Sequence, residues 1–195
     1  GATGVGTSTD AINTNGGTLT ASAGTGGIYL DESNGATLGA ITVSGSSGDV
    51  RIQNASGTLT STGVVSTGGG NITLTSVDGL SLGANVTAAG TGTVSLTSDS
   101  DGNSTGSFAQ TAGTISTAGG AIAITNGNAT TGTGNVLLGA ITAGGTSNIT
   151  VISREGSILE NASNSSLLTS AGTITLTAGS GAADAVGTST DAINT

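Results

Sequence analysis

The chain has no cysteine, histidine, proline, methionine or tryptophan, and its only aromatic residues are Tyr29 and Phe108. It therefore has no disulfide framework, no thiol nucleophile and no histidine, the commonest metal ligand and general base. Lysine is absent too, and Arg51 and Arg154 are the only cations in a chain of net charge −9. A chain of this charge repels nucleic acid. These absences argue against an enzyme and against a nucleic-acid partner.

Long apolar runs are also missing, so no membrane span is predicted in this segment. The sequence opens with Gly1 and carries no signal-like charged and apolar stretch at its start. We therefore expect a segment of a longer polypeptide.

Glycine, serine and threonine together fill about half of the chain, as 37, 26 and 37 residues. Charged residues are only 7%, too few for a self-repelling disordered chain, and the large aliphatics follow a period of two. The chain is therefore expected to be ordered.

The decapeptide VGTSTDAINT occurs twice, at 5–14 and, without a change, at 186–195, so the two copies are offset by 181 in residue number. Ten consecutive identities indicate a tandem repeat. We interpret 1–195 as one β-solenoid segment, made of a 181-residue unit and the start of the next. If the two copies are equivalent, three residue pairs should each share one coil position: Val5 and Val186, Asp10 and Asp191, and Ile12 and Ile193.

A shorter period is set by pairs of large aliphatic residues separated by one residue. The pairs are Ile28/Leu30, Val50/Ile52, Ile72/Leu74, Val94/Leu96, Ile122/Ile124, Ile149/Val151 and Ile174/Leu176. Three 22-residue intervals are followed by intervals of 28, 27 and 25. Between the pairs, two weaker classes roughly alternate: Gly-Thr-Leu-Thr-like segments, around Leu19, Leu59, Ile115 and Leu168, and Leu-Gly-Ala segments, at Leu38, Leu82 and Leu138.

This alternation of β-branched residues predicts short strands, about three per coil, and no helix. Strands that recur with this period predict an all-β solenoid of about eight coils per unit, stacked about 4.8 Å apart. A single file of Ile, Leu, Val and Ala then fills a narrow core, while Gly, Ser and Thr form the corners and the solvent face. Tyr29 and Arg51 should face outward from neighbouring coils and touch, in an arrangement that allows cation–π stacking.

Segments such as 57–60 (Gly-Thr-Leu-Thr), 70–75 (Gly-Asn-Ile-Thr-Leu-Thr) and 172–177 (Gly-Thr-Ile-Thr-Leu-Thr) resemble the repeats of filamentous-haemagglutinin-like adhesins and related giant bacterial surface proteins. The resemblance covers essentially the whole chain. It implies a right-handed parallel β-helix, export to the cell surface and a role as a fibre or stalk. The chain departs from the family because no N-terminal secretion domain is in view and the coil length varies.

One loop has the spacing of a calcium site. Oxygen-bearing side chains recur at every second position in Asp99-Ser100-Asp101-Gly102-Asn103-Ser104-Thr105, with Asp99, Asp101 and Asn103 as candidate ligands. The loop departs from the EF-hand, since its sixth position is Ser104 and its twelfth is Gln110. The alternative is a solvated turn inserted in a long coil. Calcium is the one cofactor candidate, and no catalytic residue is predicted.

Other patterns have simpler structural explanations. The adjacent acids Asp31 and Glu32 could suggest a glycosidase, but a solvated corner after a strand explains them better. Arg154-Glu155 is likewise predicted to be a turn. Eight Asn-x-Ser/Thr sequons are interpreted as corner asparagines rather than glycosylation sites; they start at Asn54, Asn71, Asn85, Asn103, Asn128, Asn148, Asn161 and Asn164. The outward column from Tyr29 to Thr175 is mixed, so an ice-binding threonine face is not favoured.

Together these features predict a structural repeat of a giant secreted extracellular fibre or stalk that gives length and rigidity. Its partners would be adjacent units, end to end, with lateral fibre neighbours or cell-surface carbohydrate as further candidates. The alternative is a cell-surface adhesin whose longer loops, between Leu96 and Ile122 and between Ile124 and Ile149, bind a host, a cell or a carbohydrate surface. Loops that vary between units would favour recognition, and constant loops would favour structure.

Overall fold

The computed structural model describes residues 3–103, 106–128, 134–161, 168–181, 184–189 and 192–195. These residues form strands joined by turns, and no helix occurs among them. In chain order the strands are β1 (Gly4–Val5), β2 (Ile12–Thr14), β3 (Thr18–Ala23), β4 (Gly27–Glu32), β5 (Ala36–Val43), β6 (Val50–Asn54), β7 (Leu59–Ser61), β8 (Val65–Thr67), β9 (Ile72–Ser76), β10 (Leu80–Leu82), β11 (Val86–Ala88), β12 (Val94–Ser98), β13 (Phe108–Gln110), β14 (Thr114–Thr117), β15 (Ile122–Asn126), β16 (Val136–Leu138), β17 (Ala140–Ala143), β18 (Ile149–Ser153), β19 (Ile158–Glu160), β20 (Leu168–Thr169) and β21 (Ile174–Thr177).

The strands stack in parallel as a β-solenoid of about seven turns with three faces. Face 1 is a nine-stranded sheet: β1 and β2 both pair with β4, and the order then runs β4-β6-β9-β12-β15-β18-β21. A 12-stranded sheet forms the other two faces. Face 2 is the row β7-β10-β13-β16-β19, and face 3 is the row β8-β11-β14-β17-β20. The long strand β5 joins them, because its first half pairs with β7 and its second half with β8, and β3 pairs with β5 along both halves.

The seven aliphatic pairs form the core of face 1, as the sequence predicted. Ile28 is in register with Val50, and each later pair continues the same two columns down to Ile174 and Leu176. From Ile28 to Val151 every member of these columns is buried. Successive side chains in a strand point to opposite sides, so the residues between the pairs face outward. Parallel strands stacked over these columns confirm the all-β solenoid.

Two details differ from the expectation. The stack has about seven turns rather than about eight, because only 178–185 separate β21 from the second decapeptide, too few to complete a coil. The two weaker motif classes do not mark alternating coils. The Leu-Gly-Ala segments at Leu38 and Leu138 mark the corner between faces 2 and 3, whereas Leu59 lies on face 2 and Ile115 on face 3.

Glycines at the corner before face 1 allow the coils to approach closely. An added Cβ at Gly70 would lie 2.1 Å from the carbonyl oxygen of Gly48, one at Gly92 would lie 2.2 Å from that of Gly70, and one at Gly120 would lie 2.1 Å from that of Gly92. Real Cβ atoms do not approach a carbonyl this closely. The corner column therefore requires glycine for a steric reason, which accounts for part of the high glycine content.

Candidate functional site

The outward surface of face 1 carries a group of large polar side chains on β4 and β6. Tyr29 and Arg51 are register partners on β4 and β6, which confirms the 22-residue register. The Arg51 guanidinium is engaged by its neighbours: Nη2 lies 3.2 Å from Asp31 Oδ1, and Nη1 donates to Gln53. Burial and the Asp49 carboxylate raise the pKa of the Tyr29 hydroxyl, while Arg51 acts to lower it. Arg51 thus acts on Tyr29 electrostatically, while its Nη1 and Nη2 atoms donate to Gln53 and Asp31.

The adjacent acids Asp31 and Glu32 do not form a carboxylate pair. Asp31 points outward to Arg51, whereas Glu32 points inward and is 1% exposed. Glu32 Oε2 accepts from the Thr14 hydroxyl at 2.7 Å and from the Gly16 amide at 3.3 Å. Oε1 accepts from the amides of Ser33 and Asn34. Burial raises the pKa of Glu32, but these hydrogen bonds outweigh burial and lower it overall. The Glu32 carboxylate therefore connects β2 to β4.

Glu32 begins a buried polar column that sequence analysis missed. The column occupies the third inward position of face 1 and contains Glu32, Asn54, Ser76, Ser98, Asn126 and Ser153. Its amides bond along the axis and to the turn that follows: Asn54 Nδ2 donates to Ser76 Oγ at 3.0 Å and to the Gly57 carbonyl at 2.6 Å. Farther along, Ser98 Oγ lies 2.6 Å from Asn126 Oδ1. The signal was in the sequence, since each aliphatic pair from Ile28/Leu30 to Ile149/Val151 is followed two positions later by a polar residue.

Three of the sequon asparagines lie at corners and bond to the next coil. Asn71 Oδ1 accepts from the Thr93 amide, Asn85 Oδ1 from the Thr114 amide and Asn148 Oδ1 from the Thr173 amide, at 2.8–3.0 Å. This geometry supports the corner interpretation at these positions. The last sequon, at Asn164, lies outside the described residues. The Arg154-Glu155 segment forms the predicted turn after β18, with Arg154 exposed and Glu155 buried.

The candidate calcium loop follows β12. Asp99 is fully buried with φ of 50°, and its amide donates to the Asp78 carbonyl at 2.7 Å. Asp101 and Asn103 are exposed and bind each other: Asn103 Nδ2 lies 2.9 Å from Asp101 Oδ2. The structure therefore brings two of the three candidate ligands together, and a cation shared by all three would have to reach the buried Asp99. Ser104 and Thr105 lie outside the described residues. A calcium ion at Asp99, Asp101 and Asn103 stays a prediction, and calorimetric titration with calcium tests it.

The two copies of the decapeptide lie at the two ends of the stack. In the N-terminal copy (5–14), Val5 is in register with Ile28 and Ile12 with Leu30, so that the copy lies along face 1. A tight turn closed by two backbone hydrogen bonds between Thr7 and Asp10 projects between β1 and β2. This copy therefore occupies one face, with four residues forming a small excursion.

The C-terminal copy (186–195) lies elsewhere. Val186 bridges to Ile158 of β19 on face 2, and the Asn194 carbonyl accepts from the Leu168 amide of β20 on face 3 at 3.1 Å. The Asn194 amide donates to Glu160 Oε1 at 3.0 Å. The predicted equivalence of Val5 with Val186 and of Ile12 with Ile193 is therefore wrong. Asp191, the counterpart of Asp10, lies outside the described residues. The physical reason is the short connection after β21.

Comparison with models of known protein families, with curated proteins and with solved structures found no match for this chain. Within the described residues, no helix has the length and apolar character to cross a membrane. The same residues contain no cluster of three or more acidic, histidine or cysteine side chains suited to a metal.

Proposed function

We propose that the chain is a structural repeat of a giant secreted extracellular fibre or stalk, in which units continue one another end to end. The observation that carries this proposal is the state of the core at the two ends of the stack. Ile174 and Leu176 on β21 are only partly buried, whereas their register partners Ile149 and Val151 are fully buried. Leu19 at the opposite end is likewise partly buried. The apolar columns are therefore open along the axis.

The backbone hydrogen bonds of the strands support the same proposal. In each coil they run along the axis to the coils before and after, so the outermost strands expose unpaired edges on which another strand can add. Typical globular cores close on themselves, but this one lengthens by addition of coils. A protein built in this way supplies length and stiffness with few large apolar residues. The proposed location outside the cell rests on the resemblance of the repeats to those of filamentous-haemagglutinin-like adhesins.

Electron microscopy of chains that contain one, two and four units in tandem tests the fibre. We expect unbranched rods whose length grows in proportion to unit number, by about 35–40 Å per unit at about 4.8 Å per coil. Compact particles, or lengths that do not grow with unit number, would refute it. Antibody labelling of intact cells that make the protein tests the extracellular location, with labelling of opened cells as the control.

A further inference from the structure

We propose that the decapeptide is a joint that advances the solenoid by one face, so that each unit starts one face further around the coil than the unit before it. This inference rests on the proposed tandem fibre. It begins from the two positions of the same decapeptide: Val5 on face 1 against Ile28, and Val186 on face 2 against Ile158. In a tandem chain the C-terminal copy of one unit is also the N-terminal copy of the next. The shared decapeptide can satisfy both positions only if face 1 of the next unit continues face 2 of the preceding unit.

Chain length decides between the two positions. The shortest passage from the end of one face 1 strand to the start of the next is the 12-residue connection 15–26, between β2 and β4. The three connections that follow, 33–49, 55–71 and 77–93, have 17 residues each. Between β21 and Val186 only the eight-residue segment 178–185 is available, which is four residues shorter than the shortest of these passages. This segment cannot pass around faces 2 and 3 and return to face 1. The C-terminal copy therefore cannot stack on β21 as the N-terminal copy stacks on β4.

The same length fits a single step from face 1 to face 2. In the coils from β4 to β19, the first inward residue of face 1 and the first inward residue of the face 2 strand that follows are 8 to 14 apart in residue number. Ile28 and Ala36 give the shortest of these steps, and Val94 and Phe108 give the longest. The step from Ile174 to Val186 is 12 in residue number and lies within this range. The connection after β21 thus matches an ordinary corner, and Val186 lies where the next face 2 strand begins.

The residue before the C-terminal copy is also bound on face 2. Ala185 is exposed, and its amide donates to Ser157 Oγ at 3.1 Å. This hydrogen bond extends the register of Val186 with Ile158 by one residue toward the connection.

It follows that a unit contains seven coils plus one face. Three units then bring the faces back to their starting orientation, after 22 coils. At about 4.8 Å per coil, the axial advance is about 35 Å per unit and about 105 Å for three units. An in-phase unit of eight coils would instead advance about 38 Å with no rotation. Each surface row, such as the Tyr29–Arg51 row, would face three directions around the fibre.

Paired cysteines in the 195-residue chain test the joint, because the natural sequence has no cysteine. Ala185→Cys with Ser157→Cys joins the positions that the face 2 arrangement makes neighbours, and strand neighbours lie within disulfide reach. Ala185→Cys with Thr173→Cys joins the positions that an in-phase arrangement would make neighbours. We expect rapid disulfide formation only in the first pair, read by peptide mapping after mild oxidation. Disulfide formation in the second pair, or in neither, would overturn the proposal.

Helical image analysis of a four-unit chain separates failure of the joint from failure of the fibre. Rods with a true repeat of about 105 Å and a rotation of about a third of a turn per unit support both proposals. Rods that advance about 38 Å per unit with no rotation would refute the joint and leave the fibre intact. Chains that form no rods would refute the fibre itself, while the cysteine pairs would still report on the joint in the single chain.

Discussion

The two copies of VGTSTDAINT have identical sequences and different structures. The N-terminal copy lies along one face, where it forms β1, a tight turn and β2, and the C-terminal copy spans faces 2 and 3. Local preference is the same in both, so it cannot account for the difference. What differs is the length of chain that connects each copy to its neighbouring coil. In a solenoid, the reach of the chain to an open strand edge decides where a segment pairs.

The copies nevertheless share one device. Each is held by a buried glutamate on the strand it covers: Glu32 of β4 accepts from Thr14 and Gly16, and Glu160 of β19 accepts from the Asn194 amide. Both glutamates are inward residues at the end of their strand, at 1% and 6% exposure. A decapeptide of small residues can therefore use either edge, provided that a carboxylate is present to accept its backbone or hydroxyl donors.

The largest expected effect is that of a graft that lengthens the connection between β21 and the C-terminal copy. Replacing 178–185 with a copy of 33–49 supplies the 17-residue connection that makes a full passage from β4 to β6. The C-terminal copy should then move to face 1 and stack on β21. Asn194→Cys with Thr177→Cys reports the move, because these positions correspond to the register pair Asn13 and Asp31. We expect a disulfide in the grafted chain and none in the parent.

Asn13→Cys with Asp31→Cys provides the matched control, since this pair is already in register in the N-terminal copy. It should form a disulfide with and without the graft. If the grafted chain leaves Asn194 out of reach of Thr177 while the control pair closes normally, chain length is not what separates the two copies.

A steric clash inside the stack provides the comparison for clashes at its ends. Gly92→Ala places such a clash between two interior coils and should lower the free energy of unfolding of the whole stack. The added Cβ would lie 2.2 Å from the Gly70 carbonyl oxygen, so two coils must move apart. Overpacking of this kind costs about 1–3 kcal/mol. Urea unfolding should show a lower midpoint with an unchanged slope. Gly17→Ala is the control, since an added Cβ there meets no atom within 4 Å. Equal midpoints for the two variants would contradict the steric explanation.

Gly4→Ala places the same kind of clash at an end, and its effect should be local. Only β1 and β2 need to detach, so we expect a loss of about 1 kcal/mol confined to that segment. Hydrogen exchange of the Gly26 and Ser33 amides, which donate to Thr3 and Thr14, measures it. Ala185→Gly is the matched change in the other copy and should leave the Gly187 amide, which donates to Ile158, as protected as before. A global loss of stability would mean that the N-terminal copy is part of the central folding unit.

The repeating coils could be predicted from the sequence because each core position has its own periodic signal. The aliphatic pairs identified the strands of face 1 and their register, and Tyr29 and Arg51 fell in one outward column as expected. The buried polar column is equally periodic, but small polar residues between apolar ones predict corners and solvent-facing positions. The strands of faces 2 and 3 were harder to predict from the sequence, since they are mostly short and their sequence motifs extend across the corners between faces.

The ends could not be predicted from pattern alone. Identical strings suggested identical positions, and the short distance from Leu176 to Val186 was the opposing signal. Interpreting that distance requires knowing that the passages between face 1 strands have at least 12 residues, which the strands of the structure show. The candidate calcium loop shows a similar limit, because spacing alone did not indicate that Asp99 is buried while Asp101 and Asn103 face solvent.

The smallest expected effect is a pH-dependent release of the N-terminal copy through Glu32. Its four hydrogen bonds outweigh burial and lower its pKa in the folded chain. The stability that this carboxylate contributes is therefore complete above the unfolded pKa of about 4.3 and is lost as the pH falls through the lower folded value. The Gly16 amide, 3.3 Å from Glu32 Oε2, should lose hydrogen-exchange protection in that acidic range and keep it at pH 5 and above. In Glu32→Gln the protection should be lower and no longer follow this transition. Unchanged protection of Gly16 down to pH 2.5, or the same acid transition in Glu32→Gln, would show that Glu32 does not hold the copy on face 1.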